Sequence, residues 1–307
     1  RLDTDRGSFA IKQLAPDTDL ADPLVVAHYN GTEAAAETFA DLGIRAVHAI
    51  SIEGRYLQLI DAVAYLVYPW TQARALEKDR ASRSQALEVA RLLARMHKAD
   101  ISVPGLAESR ADIVTTDRIE ELVGLAADRG MPDAALLRSQ LTRFIDIATR
   151  HGAALPVLAR KLVISHGDLD QKNVLWDDQG EPVLIDWESA RRLNPTCEAL
   201  LEALDWSGIT TTFRRDLFRD FLAAYREAGG AIDPQAIGPA LQCILGDWLD
   251  WLMYNVGRTV MTDDLEQRKI GHAQITFVLP TLLRLQGLTP DLQSELEATA
   301  AESALRA

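Results

Sequence analysis

Asp168, Asn173 and Asp186 are the residues of this chain whose types and spacing point most directly to chemistry. They lie in the stretch Ile164-Ser165-His166-Gly167-Asp168-Leu169-Asp170-Gln171-Lys172-Asn173-Val174-Leu175 and in Val183-Leu184-Ile185-Asp186-Trp187. Leu162 to Ser165 fits a buried strand. Asn173 to Trp176 and Pro182 to Ile185 flank the turn-forming Asp177-Asp178-Gln179-Gly180, which predicts a β-hairpin. The two ends of a hairpin lie side by side, so Asn173 and Asp186 should face one small space, with Asp168 on the loop just before it. Converging oxygen-bearing side chains of this kind suit phosphoryl transfer. They offer hard ligands for a Mg2+ that bridges nucleotide phosphates, and a carboxylate that orients an attacking hydroxyl and accepts its proton. On this reading Asp168 is the base, and Asn173 and Asp186 are the metal ligands. A chance hairpin carrying surface acids is the alternative, since Asp-Asp-Gln-Gly turns are common.

The spacing H-x-D-x-x-x-x-N, followed by a hairpin and an Asp, is the one kinase-like folds use, here closing on Asp186-Trp187 in place of Asp-Phe-Gly. The His166-Gly167-Asp168 opening and the Ile185-Asp186-Trp187 close resemble the aminoglycoside phosphotransferase and choline kinase group, small-molecule kinases with the protein-kinase fold. Many relatives carry His-Pro-Gly where this chain has Asp170-Gln171-Lys172, so the loop chemistry departs in detail. Asp170 then reads as a second metal-side carboxylate, a substrate-pocket residue or a solvated loop acid. The resemblance implies that His166 supports the catalytic loop by hydrogen bonding.

The remaining elements are those that must position this site. Arg1 to Thr4 and Ser8 to Leu14 read as strands around the turn Asp5-Arg6-Gly7. Phe9-Ala10-Ile11-Lys12 resembles the kinase strand whose lysine neutralises the α/β phosphates, which makes Lys12 a nucleotide-binding candidate. Thr32 to Gly43 has a helix-starting Thr, strong helix formers and a terminating Gly. By resemblance this helix supplies the glutamate that pairs with Lys12, Glu33 being preferred over Glu37, one turn further along the same face. Strands are expected near Ala46 to Ile52, Tyr56 to Ile60 and Ala62 to Tyr68, with Pro69-Trp70 as the hinge between lobes. Backbone groups near Val67 and Tyr68 would read the purine edge, and Tyr68 and Trp70 either line the base pocket or pack between lobes.

From Ala81 onward the pattern is helical. Ala86 to His97 has apolar residues at helical spacing, and its Leu-Leu-Ala-Arg-Met-His ending again resembles the antibiotic kinases. His97 reads as structural. Arg110 to Arg129 and Asp133 to His151 read as scaffold helices. After Asp186 the chain lacks the long activation segment and the Ala-Pro-Glu of protein kinases, which disfavours a protein substrate. Helices over 198–204, 214–228, 239–260 and 264–285 then build the acceptor pocket, as the resemblance implies. Its candidates are Asp205, Asp247, Asp250, Trp248, Trp251, Tyr254, Asn255 and Arg258, acids and aromatics that suit a cation. Trp248, Trp251 and Tyr254 fit core or interface packing equally well.

Composition bounds the rest. With 307 residues, 48% of them hydrophobic, the chain can build a large core or two lobes. Its formal charge of −13 argues against nucleic acid as partner and is compatible with a cationic substrate. No apolar run reaches membrane length, and Arg1 to Arg6 is unlike a signal peptide, so the expected compartment is the cytoplasm with no membrane partner. Cys197 and Cys243 sit in apolar helical contexts without metal-ligand spacing and read as reduced core thiols. A disulfide stays open.

The expected architecture is therefore α+β, a two-lobed protein-kinase-like fold. A small β-rich lobe covers residues 1–69, and a larger helical lobe at 70–307 carries the catalytic hairpin. The resemblance also implies a first strand and a nucleotide-covering loop before the strand that begins at Arg1; no glycine-rich loop precedes Phe9-Ala10-Ile11-Lys12, so either residues ahead of Arg1 supply that cover or the protein has lost it. The expected activity is transfer of the γ-phosphate of ATP or GTP, with Mg2+, to a hydroxyl of a small acceptor, an aminoglycoside-type antibiotic being favoured. A metabolic kinase for choline, ethanolamine, homoserine or a sugar is the alternative within enzymes. A nucleotide-binding pseudokinase is the alternative outside them.

Overall fold

A computed structural model of the chain describes residues 1–15, 18–61, 63–76, 80–104, 106 and 113–306. The described residues form two compact units, 1–109 with 162–206 and 215–231, and 110–161 with 207–214 and 232–307. The 69/70 lobe boundary expected from Pro69 falls inside the first of them.

The first unit opens with β1 (Leu2–Thr4), β2 (Gly7–Gln13) and α1 (Pro23–Asp41), followed by β3 (Gln58–Ile60) and β4 (Val63–Pro69). The four strands form an antiparallel sheet of order β1-β2-β4-β3, with Lys12 opposite Leu66 and Ala10 opposite Tyr68. Leu14, Ala49, Tyr56, Leu57, Ala64 and Leu66 form a buried apolar cluster in this unit. β4 runs through Pro69, and Trp70 still donates its N–H to Ser8 at 3.0 Å, so Pro69 does not end the pairing. A proline at a strand edge leaves the neighbouring ladder bond intact. Ala62, the expected first residue of this strand, lies outside the described residues.

Two expectations about this region are corrected. Thr32 does not start the first helix. Asp22 caps it by accepting the Leu24 N–H at 2.8 Å, and Pro23 occupies the first turn, where a missing N–H costs nothing. Thr32 lies mid-helix, its hydroxyl bonded back to Tyr29. Ala46 to Ile52 does not form a strand either, since its backbone bonds go to separate partners. Val47 donates to Leu184 at 2.9 Å and Ile50 to Val67 at 2.7 Å, so no continuous ladder forms.

The unit continues with β5 (Arg74–Ala75), α2 (Arg83–Ala99), β6 (Val163–Ser165), β7 (Val174–Trp176), β8 (Pro182–Leu184), β9 (Arg191–Leu193), α6 (Pro195–Trp206) and α7 (Arg215–Glu227). Ser82 and Gln85 close α2 with a reciprocal capping box. β7 and β8 are the expected hairpin, Val174 facing Leu184, with β5 on its outer edge; β6 pairs with β9.

The second unit is helical: α3 (Thr116–Asp128), α4 (Ala134–Ser139), α5 (Leu141–Leu158), α8 (Ile237–Val260) and α9 (Leu265–Arg306). Residues 110–112 of the helix expected from Arg110 lie outside the described residues. The single helix expected from Asp133 to His151 is broken at Gln140 into α4 and α5. α8 packs on α3, α5 and α9. α9 runs past its expected end near Leu285 and through Pro290, because Leu282, Leu285, Leu292 and Leu296 keep one buried stripe along it. Among the described residues no helix is long and apolar enough to cross a membrane. Neither cysteine forms a disulfide.

Candidate active site

The hairpin register delivers the convergence read from the motif. Ile185 donates its N–H to the Asn173 carbonyl at 3.0 Å, so the strand ends that carry Asn173 and Asp186 are tied together. Asn173, 2% exposed, donates its side-chain amide to Asp168 Oδ2 at 2.9 Å and to the Asp168 carbonyl at 2.8 Å. These two bonds fix the Asp168 carboxylate relative to the hairpin. Asp186 is left-handed (φ 61°), a conformation costly for a residue with a Cβ, and a 3₁₀ turn over Trp187–Ser189 follows it.

Lys12 reaches this corner from the sheet. Its Nζ lies 2.8 Å from Asp186 Oδ1 and 2.6 Å from Glu188 Oε2. Burial works against the ammonium, but the two carboxylates outweigh it and hold its pKa above the ordinary lysine value. Glu188 carried no role in the motif reading. The expected direct pair between Glu33 and Lys12 is not present. Glu33, 1% exposed, accepts the Ala49 N–H at 2.6 Å and the Tyr68 hydroxyl at 2.7 Å. Burial pushes its pKa up, and those two bonds and the distant Lys12 only partly offset the rise. Tyr68, placed in the base pocket by the sequence reading, thus spends its hydroxyl on Glu33. The Val67 carbonyl, one of the expected base-reading groups, is taken by Ile50. Glu37 bonds the Tyr56 hydroxyl.

Lys172 is a further member that the motif did not reveal. Its Nζ lies 2.7 Å from Asp170 Oδ2 and 3.1 Å from Asp168 Oδ2, and its amide donates to Asp170 Oδ1 at 2.9 Å. Burial lowers its pKa, but the two acids more than compensate. Asp170 therefore orients a cation beside Asp168.

Beneath the loop, His166 is fully buried, its Nε2 2.9 Å from the Ile185 carbonyl and its ring 4.6 Å from that of Trp187, which stacks on Phe39 of α1. Burial holds its pKa below the ordinary histidine value, so the neutral imidazole donates Nε2–H to Ile185. His166 is placed to brace the loop and not to face the reacting groups. Gly167 is left-handed (φ 76°), and a Cβ there would overlap Ser189 O and Arg191 Nη1. No other residue fits that turn.

One face of α6 completes the support. Glu198 accepts the Gly167 N–H at 2.8 Å, Glu202 accepts the Leu169 N–H at 3.0 Å, and Trp206 donates to the Leu169 carbonyl at 2.9 Å. His97 of α2 lies 2.6 Å from Glu198 Oε2 and 2.7 Å from the Tyr225 hydroxyl. The spacing of 198, 202 and 206 is one residue per turn of a single face, a signal visible in the sequence but read there only as part of a helix. Asp205 lies on the same helix and helps to raise the Glu202 pKa.

Of the acceptor candidates on α8, Trp251 and Tyr254 are exposed, with rings stacked 5.3 Å apart and 12° from parallel. Trp248 packs 6.1 Å from Phe277, and Asn255 is buried with its amide on the Trp251 carbonyl. Asp250, Tyr254 and Arg258 line a cavity of about 550 Å³ within the second unit, together with Arg118. Its two guanidiniums make it a poor fit for a polycation. Asp247 turns its carboxylate toward His151 and Cys243.

The model of the phosphotransferase enzyme family (APH) matches residues 27–238. Comparison with curated protein sequences finds no match. Among solved structures the fold is similar to three kinases of low sequence identity. A spectinomycin phosphotransferase in complex with ADP and spectinomycin is 13% identical over 92% of this chain and 88% of that one, with a TM-score of 0.66. An aminoglycoside phosphotransferase from Alicyclobacillus acidocaldarius is 15% identical over 96% and 89%, with a TM-score of 0.62. A choline kinase from Streptococcus pneumoniae is 16% identical over 90% and 85%, with a TM-score of 0.54. The fold is thus the α+β, two-lobed kinase-like one. Since the family model spans more than half of the chain, the protein belongs to the phosphotransferase enzyme family and acts on a hydroxyl acceptor.

Proposed function

We propose that the protein transfers the γ-phosphoryl group of ATP or GTP to a hydroxyl of a small, cationic acceptor, an aminoglycoside-type antibiotic in the first instance. The observation that carries this reading is the double hydrogen bond from Asn173 to Asp168, which fixes a carboxylate beside Lys172 on a loop tied through Ile185 to the strand end that bears Asp186 and its partner Lys12.

Asp168 accepts the acceptor's hydroxyl proton as the acceptor oxygen bonds to the γ-phosphorus. The bond from that phosphorus to the β–γ bridging oxygen breaks, and the nucleoside diphosphate leaves. Lys12 swings from the acids to the α/β phosphates. Lys172 offsets charge on the transferring group and is held for that task by Asp170. His166 and Glu198 keep the loop in place, and Glu33 and Tyr68 fix the wall of the nucleotide site. Asn173 and Asp186 are the residues to hold Mg2+, and their hard amide and carboxylate oxygens fit that ion. Held by these two residues, Mg2+ would supply compensation of the negative charge on the phosphates. Rate enhancement then comes from placement and charge compensation.

Support for the acceptor class is the naming of two similar structures as spectinomycin and aminoglycoside phosphotransferases, with the net charge of −13. On this reading Asp170 and Asp205, both in the first unit, contribute to acceptor recognition. A choline-type amino alcohol is the second acceptor reading, supported by the naming of a similar structure as a choline kinase. Such a chain works in the cytoplasm, where nucleotide is available, and antibiotic resistance follows only from the first acceptor class.

The test is release of ADP or GDP by the full chain with Mg-ATP or Mg-GTP over aminoglycosides, other hydroxylated antibiotics, amino alcohols and sugars, with Asp168→Asn as control. Acceptor-stimulated release that disappears in the variant supports the proposal and names the acceptor. Release unaffected by Asp168→Asn overturns the role of Asp168. Silence without Mg-dependent nucleotide binding points to a pseudokinase.

A further inference from the structure

Helix α8 presents Cys243 and Asp247, one turn apart, to His151 of α5. The three side chains form a tight triangle. His151 Nε2 lies 3.8 Å from Cys243 Sγ and 3.7 Å from Asp247 Oδ1, and Asp247 Oδ2 lies 3.9 Å from Cys243 Sγ. A tetrahedral ion with bonds of about 2.0–2.1 Å to nitrogen, about 2.0–2.2 Å to oxygen and about 2.3 Å to sulfur has ligand-to-ligand edges of about 3.4–3.6 Å. The nitrogen–sulfur edge exceeds that by a few tenths of an ångström, and the two edges to Asp247 are made with different oxygens; one ligand atom from each residue lies within 4.8 Å of the others, so a rotation of the Asp247 carboxylate brings a single oxygen to both partners.

The histidine is built in as a ligating histidine is. His151 is fully buried, and a Cβ on Gly246 would overlap its ring, so the glycine makes room for the imidazole against α8. Its other nitrogen, Nδ1, has no hydrogen-bond partner at normal distance among the described residues. That nitrogen faces Asp250, whose Oδ2 is 3.6 Å away and whose Oδ1 accepts the Val114 N–H at 2.9 Å. A carboxylate behind the free nitrogen fixes the tautomer and orientation of a metal-bound imidazole. Cys243 is buried while the side chain of Asp247 is 50% exposed, which leaves one side of the triangle open to solvent for entry of an ion and for a fourth ligand.

We propose that His151 Nε2, Cys243 Sγ and an Asp247 carboxylate oxygen bind a divalent transition-metal ion of the zinc class, with Asp250 as the positioning residue. The mixed nitrogen, sulfur and oxygen set excludes Mg2+ and Ca2+, which take oxygen ligands, and suits Zn2+ or Co2+. Binding forms a metal–sulfur bond and releases the thiol proton to solvent, with no change of oxidation state. The ion ties α5 to α8 and shares no residue with the Asp168 site. This gives Asp247 a ligand's role in place of the acceptor role expected from the sequence.

The experiment is titration of the metal-stripped full chain with Co2+, read by absorption. A thiolate-to-cobalt charge-transfer band that saturates at one equivalent, collapses in Cys243→Ser, weakens in Asp247→Asn and is bleached by Zn2+ supports the site. Asp250→Asn should loosen Co2+ about 10–100-fold without removing the band. Asp186→Asn, in the other cluster, should leave the thiolate-to-cobalt band unchanged. Absence of the band in the parent chain overturns the proposal, as does a band that survives Cys243→Ser. A thermal-melting midpoint raised by one equivalent of Zn2+ in the parent chain, and not in Asp247→Asn, gives a second reading that does not depend on colour.

Discussion

Glu198 accepts the Gly167 amide at 2.8 Å with one oxygen and lies 2.6 Å from Nε2 of His97 with the other, so the loop bearing Asp168 hangs from a buried carboxylate on α6. Burial alone would raise the Glu198 pKa. The hydrogen bond and charge of His97 more than reverse that and hold it below its ordinary 4.5. Glu198→Gln should therefore lower stability by about 3 kcal/mol, the scale of breaking one partner out of a buried pair. Chemical denaturation at neutral pH measures it. The sign in pH follows from the lowered folded pKa. The contribution of Glu198 is complete above pH 4.5 and is lost as pH falls through the lower folded value, so the variant should show a flatter acid limb.

Glu202, one turn along the same face, should behave in the opposite way. Burial pushes its pKa well above 4.5, and Asp205, Glu198 and Asp168 add to the shift. The folded chain holds a proton there that the unfolded chain releases. Stability from this group is thus full below pH 4.5 and declines as pH rises toward the folded pKa. Glu202→Gln mimics the protonated form and keeps the acceptor for the Leu169 N–H. Its melting midpoint should be equal to or above that of the parent chain at neutral pH and should lose the decline above pH 4.5. A neutral-pH midpoint that falls as far as in Glu198→Gln would show that Glu202 works as a carboxylate.

These two glutamates also mark what sequence reasoning reaches. The loop and hairpin that carry Asp168, Asn173 and Asp186 are legible because their parts are local. Asp168 and Asn173 share one loop, and a turn of Asp and Gly residues folds Asp186 back beside them, so spacing alone implied the hairpin. The support beneath it is not local. Glu198 meets His97 across 101 positions and Lys12 meets Asp186 across 174. Glu198, Glu202 and Trp206 carry no mark that separates a face holding a loop from any other half-polar helix face. Glu33 was assigned to Lys12 by family resemblance, whereas the competing hydroxyl of Tyr68 and amide of Ala49 come from β4 and from a loop whose pairing no periodicity reveals. The start of α1 was within reach, since Asp22-Pro23 is a cap followed by a first-turn proline. The helix-forming run after Thr32 is the stronger local pattern and masks it.

The Gly167 turn gives a sharper prediction. At φ 76° and against Ser189 and Arg191, Gly167→Ala combines a left-handed backbone penalty with steric overlap. The expected loss is about 1–3 kcal/mol from the backbone alone, together with a fall in kcat, because relief of the overlap must move the residue directly before Asp168. Gly180, also left-handed but with open space around it, is the control. Gly180→Ala should cost stability while leaving turnover per folded molecule unchanged.

Lys12 and Lys172 pair with different carboxylates, Asp186 and Glu188 for the first and Asp168 and Asp170 for the second, and their substitutions should separate in kinetics. Lys12 is shared by Asp186 and Glu188, and on the proposed mechanism it transfers to the phosphates. Lys12→Met should raise KM for nucleotide and lower kcat about 10²-fold, the scale of removing one charge-stabilising donor. Lys172 instead lies 3.1 Å from Asp168 Oδ2 and is anchored by Asp170. Lys172→Met should leave nucleotide KM nearly unchanged and lower kcat by a comparable factor, since its charge counts only once the γ-phosphoryl group is in transit. Asp170→Asn should reproduce a weaker form of the Lys172 defect, because it loosens the ammonium without removing it. Steady-state kinetics on the acceptor found in the panel decides this. If Lys172→Met raises nucleotide KM as Lys12→Met does, the two lysines grip the same phosphates, and the division of labour drawn from their different carboxylate partners is wrong.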